Sequence, residues 1–322
     1  MKERVVYFNG EFVPESQAKI SIYDSALMFG DMIFEMTRSF NKKQFKLREH
    51  LERLYNSAKH IHLEIPITID EMEQAVYDTI KANEPLFKDD DEHRIMIDIS
   101  RGLLGIYENN ISGITPGPNV IIADFPLRWT VSSMAHLFDS GINAVIPSQR
   151  NIPADLLEPK VKNRSRMHYL MANIEVSKMK GKDNWALLLD PDGYISEGTG
   201  DNFFIIKDGV IITPEGRNIL RGISRDYIFE LAKQLNIPCI ESNIEPYDVM
   251  LADEAFMTAT PFCMLPVTKF NHNNISNGKM GPITTLLLDT WGDNVGVNIA
   301  EQIKSYAKDS NSNSPTPYEF KK

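Results

Sequence analysis

"NFFIIKDGVIITP", residues 202–214, places two apolar runs on either side of Asp208-Gly209. Both residues of such a pair accept the positive φ that a tight primed turn requires, so the stretch reads as a β-hairpin. A hairpin joins antiparallel strands, whereas a purely parallel sheet needs a long crossover after every strand. "VVYFNGEFVP" (5–14) repeats the signal around Asn9-Gly10. Two hairpins in one chain exclude a purely parallel α/β sheet. They point to a mixed α+β class.

Outward from these hairpins, helices and strands mix throughout. "LREHLERLYNSAKHI" (47–61) spaces Leu47, Leu51, Leu54, Ala58 and Ile61 three and four apart, which predicts an amphipathic helix. "MEQAVYDTIKAN" (72–83) predicts a second helix, and "RIMIDIS" (94–100) and "NVIIADFPL" (119–127) predict strands. In the second half, "INAVIP" (142–147) and "NWALLLD" (184–190) read as strands and "YLMANIEVSKM" (169–179) as a helix. "ISRDYIFELAKQLN" (223–236) is a further helix with Ser224 as candidate N-cap. "DEAFMTATPFCMLPV" (253–267) is a strand running into a turn. The expected division is a small domain over 1–127, a connection over 128–140 and a large domain over 141–307. A Ser-, Asn- and Pro-rich tail over 308–322 is expected to be disordered.

Composition excludes several classes of function. Of 322 residues, 34 are Lys or Arg and 44 are Asp or Glu, giving a net charge of −10. A nucleic-acid binder normally carries a basic face, and an anionic membrane surface repels such a chain. Cys239 and Cys263 make neither a disulfide framework nor a metal-ligand cluster. No apolar run approaches the ~20 residues of a membrane span, and "MKERVVYFNGEFV" lacks the apolar core of a signal peptide. A cytoplasmic protein is expected.

Against that acidic background, "EPKVKNRSRMHY" (158–169) sets Lys160, Lys162, Arg164 and Arg166 two apart. Like charges so close repel, and a lysine surrounded by cations is pushed toward its neutral, nucleophilic form. The same cluster also attracts phosphate or carboxylate. Three loops add candidate anion sites. "LRGIS" (220–224) opens a helix, whose orphan N–H groups and dipole favour a phosphate. "TATP" (258–261) offers hydroxyls after a strand, and "SEGTGDN" (196–202) brackets Glu197 with glycines. Taken singly, each has an ordinary reading as a cap, a turn or a surface edge, and Arg53 reads as an exposed helix arginine.

Taken in order, these pieces resemble the fold-type IV pyridoxal-phosphate enzymes, the class IV aminotransferases. That family includes branched-chain aminotransferase, D-amino-acid aminotransferase and aminodeoxychorismate lyase. The resemblance runs over roughly residues 5–305. It is carried by "YDSALMFGDMIFEMTRSF" (23–40), "FKLREHLERLYNSAK" (45–59), "LLLDPDGYISEGTGDNFFIIKDGVIITP" (187–214), "LRGISRDYIFELA" (220–232) and "AFMTATPFCMLPV" (255–267). It implies a smaller N-terminal α/β domain, a larger C-terminal domain with a mixed, barrel-like sheet, pyridoxal 5′-phosphate as cofactor, and a homodimer.

Residue by residue, the resemblance puts the phosphate-binding arginine on Arg53 and the partner of the pyridine nitrogen on Glu197. It puts the phosphate-binding helix start on Ile223 and Ser224 and a second phosphate contact on Thr260. Ala259 and Phe34 fall where the family meets substrate. For the covalent lysine, Lys162 is favoured over Lys160, because 13 residues separate it from Glu175 and 35 from Glu197, spacings that suit the family. The asparagine that usually follows that lysine is absent, and either Tyr169 or Arg164 could take over its contact. "EGTGDNFF" looks like branched-chain enzymes, yet "HRIMID" lacks their Tyr-x-Arg signature and "GLLGIYENN" lacks the Arg and His of the D-amino-acid branch. The leading expectation is an aminotransferase acting on an amino acid, with a branched-chain one as the candidate, and a 2-oxo acid. A lyase of the aminodeoxychorismate type and a cofactor-free binding relative stand as alternatives.

Overall fold

The structure, a computed structural model, describes residues 3–108, 110–114 and 116–308. The tail expected to be disordered lies outside the described residues from position 309 onward. The chain divides into two compact units, Met1–Leu127 with Val161–Arg166, and Arg128–Lys160 with Met167–Lys322.

The first unit is an antiparallel sheet backed by helices. Its strands are β1 (Val5–Phe8), β2 (Glu11–Pro14), β3 (Met32–Phe40), β4 (Lys43–Gln44), β5 (His93–Ser100) and β6 (Asn119–Pro126), in the order β2-β1-β6-β5-β3-β4. Asn9 and Gly10, at φ 51° and 96°, make the turn of the β1–β2 hairpin. Along β3 and β5 the side chains alternate between faces. Ile33, Ile95, Ile97 and Ile99 pack against Leu47, Leu51, Leu54 and Ala58 of the helix Leu47–His60 and against Met72, Val76 and Ile80 of the helix Ile69–Asn83. Burying each such aliphatic side chain contributes about 1.5–3 kcal/mol. The second helix starts earlier than its apolar spacing suggests, because Thr68 and Glu71 form a reciprocal capping box ahead of it.

Val161–Arg166 joins this unit although it lies far away in sequence. Val161 is part of the same core. Asn163 bridges Ile33, the Phe34 N–H donates to the Lys162 carbonyl at 2.9 Å, and the Arg164 N–H donates to the Met32 carbonyl at 2.8 Å. β4 pairs only with Ser39 and Phe40, so the other end of that β3 edge is where the basic stretch docks.

The second unit carries β7 (Ile142–Val145), β8 (Asn184–Leu189), β9 (Ile195–Gly198), β10 (Asn202–Lys207), β11 (Val210–Thr213), β12 (Cys239–Glu241), β13 (Glu254–Ala259), β14 (Cys263–Phe270) and β15 (Asn273–Asn274). The pairing runs β10-β13-β14-β7-β8-β9 and returns from β9 to β10 through Glu197 and Asn202, closing a six-stranded barrel-like sheet. β7 pairs parallel with both β8 and β14 and the other ring pairs are antiparallel, so the sheet is mixed. The expected β10–β11 hairpin forms, with Asp208 and Gly209 at φ 49° and 78°. The helix Met167–Ser177 lies against Val145, Ala186 and Leu188 through Ala172 and Val176. Where sequence reading placed a connection over 128–140, the chain forms the short helices Arg128–Val131, Ser132–Met134 and Leu137–Ser140 within this unit.

Candidate active site

In the first unit, the chemistry gathers at the edge of β3. Glu35 sits on the helix-facing side of the strand and is fully buried. It accepts hydrogen bonds from Arg53 Nε at 2.6 Å, Arg53 Nη2 at 2.9 Å and His50 Nδ1 at 2.8 Å. His50 and Arg53 are three apart on the helix Leu47–His60, so both face one side and meet the same carboxylate. Burial alone would raise the Glu35 pKa, but Arg53 and His50 outweigh it and hold the carboxyl well below the usual carboxylate range. Burial pushes His50 down, with the charges of Arg53 and Lys162 adding to that and Glu35 opposing it, and the ring faces the Glu35 carboxylate through Nδ1. This trio fixes the plane of the Arg53 guanidinium.

On the opposite face of β3 lies Phe34, only 2 % exposed. Lys162 Nζ is 4.7 Å from its ring centroid, Arg164 Cζ 3.7 Å and Arg166 Cζ 5.5 Å. Three cations two residues apart share this ring because an extended segment turns alternate side chains to one side. The electron-rich face of the ring attracts each of them. That attraction rewards the spacing that like-charge repulsion opposes. Lys160 belongs to the other unit, pairs with Glu158, and donates to the Arg217 carbonyl at 3.1 Å. The two lysines are thus held by different partners.

In the second unit, Glu197 is the penultimate residue of β9, not a loop residue. Its carboxylate accepts from Tyr169 Oη at 2.8 Å, Asn202 Nδ2 at 3.2 Å and the Leu220 N–H at 3.0 Å. Gly198 is needed there for close approach, since a Cβ would come within 2.0 Å of Asp201 Oδ1. Strand register puts Glu197, Asn202 and Thr258 on one face of the sheet. The Thr258 hydroxyl on that face is buried without a hydrogen-bond partner.

Leu220 leads directly into the helix Ile223–Leu235. Ser224 is not its N-cap, as expected from sequence. Gly222 is the cap, and no side chain caps this end. A Cβ on Gly222 would fall 2.1 Å from Asn202 Oδ1, so only glycine lets the helix start this close to the Glu197 network. Ile223 and Ser224 form the uncapped first turn, where backbone N–H groups and the helix dipole favour an anion. Ala259 ends β13, paired with Cys263, and Thr260 opens the tight turn between β13 and β14.

The structure therefore groups the sequence-predicted residues into two sets, Phe34, Arg53 and Lys162 in one unit and Glu197, Ile223, Ser224, Ala259 and Thr260 in the other. Sequence reading assigned no role to Glu35, His50, Asp98 or Asn202. A glutamate inside the apolar strand "MIFEM" was the available signal for the first of them. Tyr169, left open by sequence, is committed to Glu197, and Arg164 to Asp98. The outward positions of β5 that fail to reproduce Tyr-x-Arg are Arg94, Met96 and Asp98, paired in register with Arg38, Met36 and Phe34.

The donor set fits pyridoxal 5′-phosphate. A carboxylate backed by three donors suits a protonated ring nitrogen, an uncapped helix start suits a phosphate, and an amine among cations suits a carbonyl. The buried Thr258 hydroxyl on the Glu197 face is a polar atom awaiting a partner.

Comparison with known proteins agrees. Residues 32–270 match the family model for amino-transferase class IV. A relative from Methanocaldococcus jannaschii, whose own assignment as a branched-chain-amino-acid aminotransferase is provisional, is 35% identical over 89% of this chain and 95% of its own. The crystal structure of the Escherichia coli branched-chain amino acid aminotransferase superposes with a TM-score of 0.80 at 32% identity, covering 91% of this chain and 94% of that one. The Thermobaculum terrenum branched-chain amino acid aminotransferase, in its holo form with pyridoxal phosphate, gives a TM-score of 0.78 at 26% identity, covering 95% and 97%. With the family model matched over most of its length and relatives at 32–35% identity, this chain belongs to the class IV aminotransferase family.

Proposed function

We propose that this transaminase uses pyridoxal 5′-phosphate to move an amino group between a branched-chain amino acid and a 2-oxo acid, with Lys162 as the catalytic amine. The observation that carries the reading is Glu197, held by Tyr169, Asn202 and the Leu220 N–H as a satisfied carboxylate beside an uncapped helix start. When bound, the cofactor supplies an electron-withdrawing ring that stabilises the carbanion formed as an amino acid loses its α-proton. Glu197 would accept from the protonated ring nitrogen. Arg53, Ile223, Ser224 and Thr260 would hold the phosphate by charge and by N–H and O–H donation. Lys162 Nζ would take the proton from the substrate α-carbon as general base and return it as general acid. Ala259 and Phe34 would border the substrate, with the branched-chain preference following the relatives. Exposed apolar side chains on each unit, among them Phe29 and Met167 at 67% and 68%, support a homodimer. A cytoplasmic location belongs to the same reading.

Adding pyridoxal phosphate to the purified protein, fixing with borohydride and mapping peptides tests it. The adduct is expected on Lys162; an adduct on Lys160, or none, overturns the assignment. Leucine, isoleucine and valine are then expected to bleach the yellow holoenzyme. A protein that stays yellow with every amino acid would instead behave as a lyase.

A further inference from the structure

The cluster of cations at Lys162, Arg164 and Arg166 contains a clamp that the catalytic reading does not use. Asp98, on β5 directly across from Phe34, is 8% exposed and pairs with Arg164 through Nε at 2.9 Å and Nη2 at 2.7 Å. Arg164 Cζ sits 3.7 Å from the centroid of the Phe34 ring that Lys162 Nζ also approaches, so Arg164 and the shared ring connect Asp98 to the lysine. The backbone supports the same placement, since the Arg164 N–H is bonded to the Met32 carbonyl and the Arg166 N–H to the Arg164 carbonyl, each at 2.8 Å. Without a clamp, the guanidinium would swing away from the neighbouring cations, because like charges repel and arginine is flexible.

We propose that Asp98 is a positioning residue, holding Arg164 on Phe34 so that a fixed positive charge stays beside Lys162 and favours its neutral amine. The proposal rests on the reading of Lys162 as the catalytic amine. The charged groups of this unit around that amine include Arg164 and Arg166 on its own segment and Asp98 on β5. Glu35 on β3 and His50 and Arg53 on the helix behind it stand nearby as well. Glu35 and Arg53 offset one another, and further along the Phe34 face of β3 lie Arg38, over the Phe40 ring, and Arg94, against Met36. The arginines over Phe34 are the cations gathered on the ring that the amine also approaches.

Asp98 has two effects of opposite sign, and that makes the proposal testable. As a bare anion it stabilises the ammonium form; as a clamp it keeps Arg164 where it destabilises that form. Arg164→Gln, Arg164→Lys and Asp98→Asn separate them. One readout is the pH midpoint of competitive amine labelling of Lys162, followed by peptide mass spectrometry on the cofactor-stripped full-length protein. The other is the pH midpoint of the absorbance change of the lysine-bound cofactor in the holoenzyme. Arg164→Gln is expected to raise both midpoints by about one unit, Arg164→Lys by less. Asp98→Asn is expected to raise them as well, because the arginine is released. A fall with Asp98→Asn shows a plain counter-charge and overturns the proposal, as does an Arg164→Gln midpoint within ~0.2 of the parent. If Asp98→Asn does not fold, the two Arg164 variants decide: equal midpoints for glutamine and lysine overturn it. A chain that forms no chromophore sinks the cofactor reading alone, since labelling still reports the amine.

Discussion

At the scale of single residues, Glu35 shows how strongly burial amplifies a charge. It is fully buried, and its cost in the core is met by two arginine nitrogens and one imidazole N–H. Removing one member of a buried set leaves the others uncompensated, which costs about 3–5 kcal/mol. Glu35→Ala is therefore expected to lower the unfolding free energy in urea by about that amount. A loss below ~1 kcal/mol would mean that water reaches the site and screens it. Because the folded pKa of Glu35 lies below its unfolded value of about 4.3, the group contributes stability above that pH. The contribution fades as pH falls below it toward the folded value. Acid titration of stability is expected to be shallower in Glu35→Gln than in the parent, and parallel curves would contradict the assignment.

At the scale of elements, the segment carrying Lys162 depends on one glycine. Gly30 ends the short helix Ser25–Phe29 at φ +68°, a conformation that costs a side-chain-bearing residue roughly 1 kcal/mol. A Cβ there would also come within 2.5 Å of Ser165 Oγ, whose hydroxyl donates to the Phe29 and Gly30 carbonyls at 3.1 and 3.3 Å. Gly30→Ala is expected to cost about 1–3 kcal/mol and to loosen Val161–Arg166 from the β3 edge. Hydrogen exchange at the Phe34 and Arg164 amides, which bond across that edge, should then speed up more than exchange in the strands of the second unit. A uniform change would place the effect elsewhere. The two hairpins and the helices around 47–61, 72–83 and 223–236 were legible from sequence, because turn residues and apolar spacing are local signals; the helices Pro282–Val295 and Ile299–Lys308 were not read. Ser224 was misread as a cap because Gly222 was chosen by its closeness to Asn202, a contact that no local pattern encodes.

At the scale of the whole molecule, each unit leaves large apolar side chains in water. In the first unit Ile22, Leu27 and Phe29 are 74%, 62% and 67% exposed; in the second, Leu156 and Met167 are 77% and 68% exposed. Exposed apolar residues of this kind support the homodimer proposed above. Sedimentation equilibrium of the purified protein is expected to give twice the chain mass. Leu27→Glu with Phe29→Glu is expected to shift it toward one chain, and a wild-type monomer at micromolar concentration would overturn the homodimer. Among the described residues, no helix is long and apolar enough to cross a membrane.

The amino-acid order alone determined the two hairpins, several of the helices and strands, and the mixed class of fold, because turns, helices and strands follow from contacts a few positions apart. Only the tertiary structure decided which neighbours those residues acquired. Val161–Arg166 was assigned by sequence to the large domain, yet it packs with Met1–Leu127, since Val161 fills a core position and the open edge of β3 supplies its backbone partners. Glu35, His50, Asp98 and Asn202 drew no notice in the sequence for the same reason. Each is an ordinary polar residue until folding buries it beside a charge that stands far away along the chain.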